Sequence, residues 1–166
     1  DSMIEIICEK KNKEYQIIWA AGPTQYDGIK ERLSNKGINI NNIPNVKIVP
    51  YIYNMQELMN YVDLVVSRSG AMTITEVALL NKPAIFIPFP YATENHQEYN
   101  ARVLENVCAA KIILDKNLTG SSLDQNIYSI ISNPELLKKM GQNTTKVSVN
   151  DVEEKIYEEI IKILKQ

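Results

Sequence analysis

The sequence predicts an α/β fold, a Rossmann-like parallel sheet flanked by helices, and three observations carry that reading. Short β-branched apolar runs alternate with amphipathic segments along the whole chain, as repeated strand–helix–strand units with right-handed crossovers do. Residues 84–89 (Ala, Ile, Phe, Ile, Pro, Phe) are apolar at successive positions, as a strand covered on both faces must be. Residues 63–66, a small-residue turn at 67–71 and an amphipathic segment from Met72 to Leu80 then read as strand, tight loop and helix.

The elements follow in order. A first helix carries Met3, Ile4, Ile7 and Cys8 on one face, and residues 15–21 form an apolar strand closed by Gly22 and Pro23. Residues 24–33 are weakly helical, Lys36 and Gly37 end them, and the Asn-rich stretch 37–45 is a loop. Residues 46–51 make the second strand, interrupted at Pro50. Asn54 followed three residues later by Glu57 predicts a cap for the helix 55–61. After the third strand and its helix, Asn81, Lys82 and Pro83 stop the chain from coiling further. Asn tolerates the left-handed cap and Pro forbids continuation. The strand 84–89, a polar loop to Gln97, a helix 98–106 and a short strand 111–114 come next. Helices 121–132 and 134–140 follow, the second with Asn133 as cap and Pro134 at its first position. Residues 144–150 read as a loop, and 151–165 as a long amphipathic helix with Val152, Ile156, Ile160, Ile163 and Leu164 on its apolar stripe.

Composition bounds the possibilities. The 166 residues suit one domain, and a net charge of −2 provides no electrostatic footprint for nucleic acid. Cys8 and Cys108 lack metal-ligand spacing and read as buried thiols of a reducing compartment. No apolar run approaches the roughly 20 residues that a membrane-spanning helix needs, which predicts a soluble or peripherally attached protein. A start without Met, inside a helix, predicts a fragment of a longer chain.

In parallel α/β sheets ligands sit beyond the carboxyl ends of the strands, which selects the loops 51–54, 67–72 and 88–97. The second loop opens a helix, where unpaired N–H groups and the positive dipole end favour an anion such as a phosphate. Gly70 lets backbone approach a ligand, Arg68 adds a permanent charge, and Glu76, one to two turns on, suits ribose hydroxyls. The alternative is that Thr73 and Glu76 form a capping box serving only their own helix. The third loop is polar, and its Gln97 and Asn100 share a helical face with amides able to read sugar hydroxyls. His96, the sole histidine, takes any acid–base role a histidine plays here, or is merely an exposed loop residue. No nucleophile motif and no metal-ligand cluster stands out.

Together, residues 65–76, 82–89 and 96–101, with Ala109, Ala110, Lys111 and the segment 51–55, closely resemble the C-terminal domain of the MurG family. These are bacterial peptidoglycan N-acetylglucosaminyltransferases, which convert lipid I to lipid II. The resemblance implies residues 1–166 as one Rossmann-like domain, the UDP-GlcNAc-binding half of a two-domain GT-B enzyme. By position, it implies that the backbone of Ile52 contacts uracil and that Glu76 holds the ribose. Arg68 and the turn of Ser69, Gly70, Ala71, Met72 and Thr73 would face the diphosphate. Gln97, with His96 and Asn100, would read the GlcNAc hydroxyls, His96 departing from relatives that carry Gln. The implied reaction is inverting and needs no metal or cofactor, with the parent protein peripheral on the cytoplasmic face of the membrane. The acceptor-binding domain, with its candidate general base and membrane-associating surface, is not in this sequence. Nor are the first strand and Gly-rich loop of this domain, so the sheet is expected to be split and the isolated chain inactive. The alternatives are another GT-B UDP-sugar enzyme (a glycolipid transferase or a UDP-GlcNAc 2-epimerase relative), a donor-binding subunit completed by a membrane-bound partner, and a nucleotide-binding regulator.

Overall fold

The structure, a computed structural model, describes residues 1–9, 14–148 and 151–164. Its elements run α1 (Ser2–Glu9), β1 (Ile17–Ala20), α2 (Pro23–Ser34), β2 (Val46–Val49), α3 (Met55–Tyr61), β3 (Val65–Ser67) and α4 (Ala71–Leu79). Then come β4 (Ala84–Phe86), α5 (His96–Asn106), β5 (Ala110–Ile112), α6 (Gly120–Ile131), α7 (Pro134–Asn143) and α8 (Val152–Leu164). Every ladder among the described residues is parallel, so the alternation legible in the sequence holds. The described strands nevertheless form two sheets. Ile17 to Ala20 of β1 pair with Val46 to Val49 of β2, while Val65, Ala84 and Ala110 set the register of β3, β4 and β5. β1 and β3 do not pair with each other, as the split-sheet expectation has it.

Packing explains why β4 organises the larger sheet. Ile85 and Ile87 enter a core cluster with Ile6 of α1, Leu123, Ile127 and Ile130 of α6, and Met140 of α7. Ala84 and Phe86, alternating to the other face, join Val77 and Ala78 of α4 and Ala101 and Leu104 of α5. Ala84, Ile85 and Phe86 of β4 and Ile87 just after it are all buried, which fits a strand covered on both sides. Ile17 of β1 and Leu64 beside β3 pack against the first cluster, so one helical layer spans both sheets. A third cluster sets Ile4 and Ile7 of α1 and Ile29 and Leu33 of α2 around Ile48 of β2. By contrast, Ile18 of β1 and Val66 of β3 are exposed, although both lie within strands.

Several boundaries and caps depart from the sequence reading for local reasons. β4 ends at Phe86, because Pro88 and Pro90 carry no N–H, and Ile87 N–H makes the last strand-like bond, 2.9 Å to Ser67 O. α5 starts at His96, two residues early, and α7 runs on to Asn143. Asn133 accepts from Leu136 N–H at 3.0 Å with Pro134 at the first helical position, as predicted, and Asn81 is left-handed at φ 53°. Asn54 does sit at the start of α3, but its side chain donates to Glu57 Oε2 at 3.2 Å rather than capping a backbone N–H. The thiols differ too. Cys108 is exposed and Cys8 only half-buried, since Cys108 occupies the left-handed turn after α5 at φ 58°. Of the stretch 144–150, residues 144–146 form a short 3-10 turn and 149–150 lie outside the described residues, as does Lys165 of the last helix. No side chain of α8 is buried, and no helix among the described residues is long and apolar enough to cross a membrane.

Gly141 tests how tightly α7 meets the turn before β4. A Cβ there would stand 2.7 Å from the backbone oxygen of Asn81. Helix propensity alone favours Gly→Ala by about 1 kcal/mol, whereas forcing a methyl against backbone costs about 1–3 kcal/mol. Gly141→Ala should therefore lower the denaturant midpoint, and an unchanged or raised midpoint would show that α7 shifts freely.

Candidate functional site

The carboxyl ends of β2, β3, β4 and β5 lead into residues 50–54, 68–70, 87–95 and 113–117. β3 delivers the chain to Gly70, the N-cap of α4, which offers no side-chain cap. Ile74 N–H is the first to turn inward, to Gly70 O at 3.1 Å. The N–H groups of Ala71, Met72 and Thr73 have no partner among the described residues, so the positive end of α4 stays open. Space above the turn is free: nothing lies within 4 Å of where a Cβ on Gly70 would stand. The capping-box alternative fails on register. With α4 starting at Ala71, Thr73 is the third helical residue, and Thr75 Oγ1 bonds back to Ala71 O at 3.1 Å. Glu76 is exposed, and its carboxylate makes no bond among the described residues.

Gln97 ties this turn to the loop after β4. Its Oε1 accepts from Phe89 N–H at 3.0 Å and from Ser69 N–H at 3.3 Å. Ser69, fully buried, donates its hydroxyl to Gln97 O at 2.7 Å, and Asn100 Nδ2 donates to Ser69 O at 3.2 Å. Two N–H donors on one amide oxygen fix which way the carboxamide faces. Gln97 Nε2 and Asn100 Oδ1 remain without partners among the described residues. The structure thus brings Ser69, Gly70, Ala71, Met72, Thr73, Gln97 and Asn100 together.

Arg68 lies differently. Its guanidinium turns across β4, where Nη1 is 2.8 Å from Asp115 Oδ1, 3.0 Å from Pro88 O and 3.1 Å from Ile87 O. Its Cζ stands 5.6 Å from the Phe89 ring centroid. Nε and Nη2 have no partner among the described residues. His96 opens α5 and is exposed, with Nδ1 2.6 Å from Thr93 O. A carbonyl only accepts, so the proton belongs on Nδ1 and the neutral ring keeps an accepting Nε2. Two consecutive left-handed residues, Glu94 at φ 50° and Asn95 at φ 55°, aim that helix start. Asn tolerates this conformation, whereas Glu rarely adopts it. Asn95 Nδ2, at 3.0 Å, and then Arg102 Nη2, at 2.7 Å, hydrogen-bond the Glu98 carboxylate and hold it below its ordinary range. Ile52 is half-buried in the loop after β2, its backbone groups unpaired among the described residues, between exposed Tyr51 and Tyr53 whose rings meet edge to face at 5.1 Å.

Sequence reasoning missed the fourth loop and Asp115, although an Asp just past the strand 111–114 satisfied the same carboxyl-end rule. It also missed the left-handed pair before His96, for which a non-glycine sequence carries little signal. The site is an open crevice. A groove of about 460 Å³, lined among others by Val62, Lys82, Pro83, Leu137 and Gln142, lies at the opposite, amino-terminal end of β3 and β4. Among the described residues no three His, Cys, Asp or Glu side chains converge as a metal site.

Parallel sheets flanked by helices, feeding loops to one open helix N-terminus, match the C-terminal half of a GT-B glycosyltransferase, and the crystal structure of Acinetobacter baumannii MurG has this fold. The two superpose with a TM-score of 0.80 at 25% identity, over 96% of this chain and 46% of that one. The model of the glycosyltransferase family 28 C-terminal domain matches residues 3–156, and the chain belongs to that family. A Thermoanaerobacter protein named UDP-N-acetylglucosamine–N-acetylmuramyl-(pentapeptide) pyrophosphoryl-undecaprenol N-acetylglucosamine transferase is 40% identical over 156 residues, 94% of this chain and 42% of its own. A Bacillus cereus protein of the same name, numbered 1, is 40% identical over all 166 residues, 44% of its own length. This chain therefore spans less than half the length of these relatives. The glycosyltransferase VinC, solved with dTDP, shares the fold with a TM-score of 0.65 at 15% identity, over 86% of this chain and 32% of that one.

Gln97→Ala would strip the acceptor from two backbone N–H groups and should lower stability by about 1–3 kcal/mol. Gln97→Glu keeps an acceptor oxygen for both and should retain most of it. Chemical denaturation of the two variants separates them, and equal losses would contradict the bridging role.

Proposed function

We propose that this chain is the UDP-GlcNAc-binding domain of a bacterial glycosyltransferase that passes GlcNAc to lipid I, yielding lipid II for peptidoglycan synthesis. The observation that supports it most is the uncapped start of α4 beside the carboxamide of Gln97. An anion and a polyhydroxylated ring can meet complementary groups there within one crevice. The Ala71, Met72 and Thr73 N–H groups receive the diphosphate, and Gly70 leaves room for it. Glu76, a free carboxylate further along α4, accepts from the ribose hydroxyls. The unpaired backbone of Ile52 reads the uracil edge. Gln97 Nε2, Asn100 Oδ1 and the outward Nε2 of His96 meet the GlcNAc hydroxyls.

In this reading the 4-hydroxyl of the acceptor's muramyl sugar attacks the anomeric carbon from the face opposite UDP. The C–O bond to the diphosphate breaks, the configuration inverts, and the hydroxyl proton leaves to a general base of the acceptor domain. Negative charge grows on the departing diphosphate, where the open helix end stabilises it without a metal. The acceptor domain, membrane contact and a strand joining β1 to β3 belong to the parent polypeptide, which works on the cytoplasmic face of the membrane. Unpaired strand edges at β1 and β3, and the exposure of Ile18 and Val66, support that strand. The chain alone should bind donor and transfer nothing.

Calorimetric titration of the chain with UDP-GlcNAc, UDP and GDP tests the donor site. Uridine-selective binding is expected, and Glu76→Ala should weaken it about tenfold, the worth of a charge-assisted hydrogen bond. Equal affinity for GDP, or an unaffected Glu76→Ala variant, would refute the assignment.

A further inference from the structure

We propose that Asp115 and Arg68 form a brace that positions Gln97, so that a residue beyond β5 governs how well the crevice distinguishes the sugar of its donor. The sugar-reading part of this inference rests on the donor-site reading above.

The contacts run in one continuous line. Asp115 opens the 3-10 turn after β5 and takes Arg68 Nη1 at 2.8 Å. The same nitrogen reaches Pro88 O at 3.0 Å and Ile87 O at 3.1 Å, the first two carbonyls after β4. One nitrogen with two hydrogens thus serves three acceptors at the ends of two strands. The guanidinium lies 5.6 Å from the Phe89 ring, and that ring meets Tyr91 edge to face at 5.7 Å. Phe89 N–H in turn donates to Gln97 Oε1 at 3.0 Å. Arg68 therefore fixes Phe89 through its carbonyl neighbours and its ring, and Phe89 fixes the carboxamide whose free Nε2 faces ligand.

Charge explains why an aspartate is needed. Backbone carbonyls hold a guanidinium only through partial charges, and a half-exposed arginine is free to swing into solvent or towards any anion in the crevice. A carboxylate at hydrogen-bond distance makes the across-β4 rotamer the preferred one, and strengthens the bond it makes. Nη1 is committed to its three acceptors, so the guanidinium stays over the ends of β4 and β5. Its role in this arrangement is to hold a loop, which makes Arg68 and Asp115 positioning residues.

The test uses the whole chain, with Asp115→Ala and the gentler Asp115→Asn. Calorimetry gives the ratio of UDP-GlcNAc to UDP affinity, and amide exchange by NMR follows Phe89 N–H. Asp115→Ala should cut the preference for UDP-GlcNAc about five- to tenfold, in the range of one lost polar contact. UDP affinity should stay within about twofold, because the α4 N-terminus is untouched. Phe89 N–H should exchange faster, and Asp115→Asn should fall between the two. Adding Gln97→Ala to Asp115→Ala should cost no more than Gln97→Ala alone. Equal weakening of UDP and UDP-GlcNAc would overturn the brace in favour of a direct phosphate role, and an unchanged ratio or an unchanged Phe89 amide would overturn it outright. Should the unaltered chain bind neither nucleotide, the donor reading has failed separately. The brace then stands or falls on Phe89 exchange and on movement of the Gln97 side-chain NH2 resonances in Asp115→Asn.

Discussion

One side-chain amide joins the two loops on which the site depends. Gln97 Oε1 receives Ser69 N–H from the turn after β3 and Phe89 N–H from the loop after β4, while Gln97 O receives the Ser69 hydroxyl. A buried serine with every polar group satisfied is a rigid point, and Asn100 adds a further bond to its carbonyl. Without that bridge the helix start and the polar loop would be neighbours with no fixed relation. With it, the donors of α4 and the free half of the carboxamide keep one geometry.

The bridge exists because β4 is pinned between layers. Ile85 and Ile87 face α1, α6 and α7, whereas Ala84 and Phe86 face α4 and α5, so the strand has little freedom to slide. Slippage by one residue would turn Phe86 and Ile85 into the wrong layers. Firm strands ending in polar loops are the arrangement in which a scaffold positions binding groups. The smaller sheet is less constrained: Ile18 is 44% exposed within β1, and among the described residues β1 pairs with β2 alone.

Much of this was legible from residues. Alternating patterns placed the elements, the doubly apolar run announced β4, and Asn81 and Asn133 capped helices as their chemistry suggests. The carboxyl-end rule chose three of the four loops, and it brought Gly70, Gln97 and Asn100 together correctly. What escaped depended on partners distant in sequence. Ser69 reads as a ligand-facing turn residue until the structure buries it beneath Gln97. Arg68 reads as a charge on the phosphate turn, and spacing does not show that Asp115, 47 positions on, draws its Nη1 across β4. Cys108 reads as a core thiol until the left-handed turn lifts it to the surface. Thr73 and Glu76 matched a capping box, and only the true start of α4 broke the match. Local pattern fixes elements, whereas side-chain direction at loop junctions is decided by contacts that spacing does not encode.

The central claim is that one crevice at the carboxyl ends of the strands holds base, phosphate and sugar together. Backbone and side-chain amide NMR during titration with UDP, then UDP-GlcNAc, tests it most directly. UDP should shift the amides of Ile52, Ala71, Met72 and Thr73, and the GlcNAc moiety should add the side-chain NH2 of Gln97 and of Asn100. Shifts clustered instead around Val62, Lys82 and Gln142, at the far end of the sheet, would contradict the account.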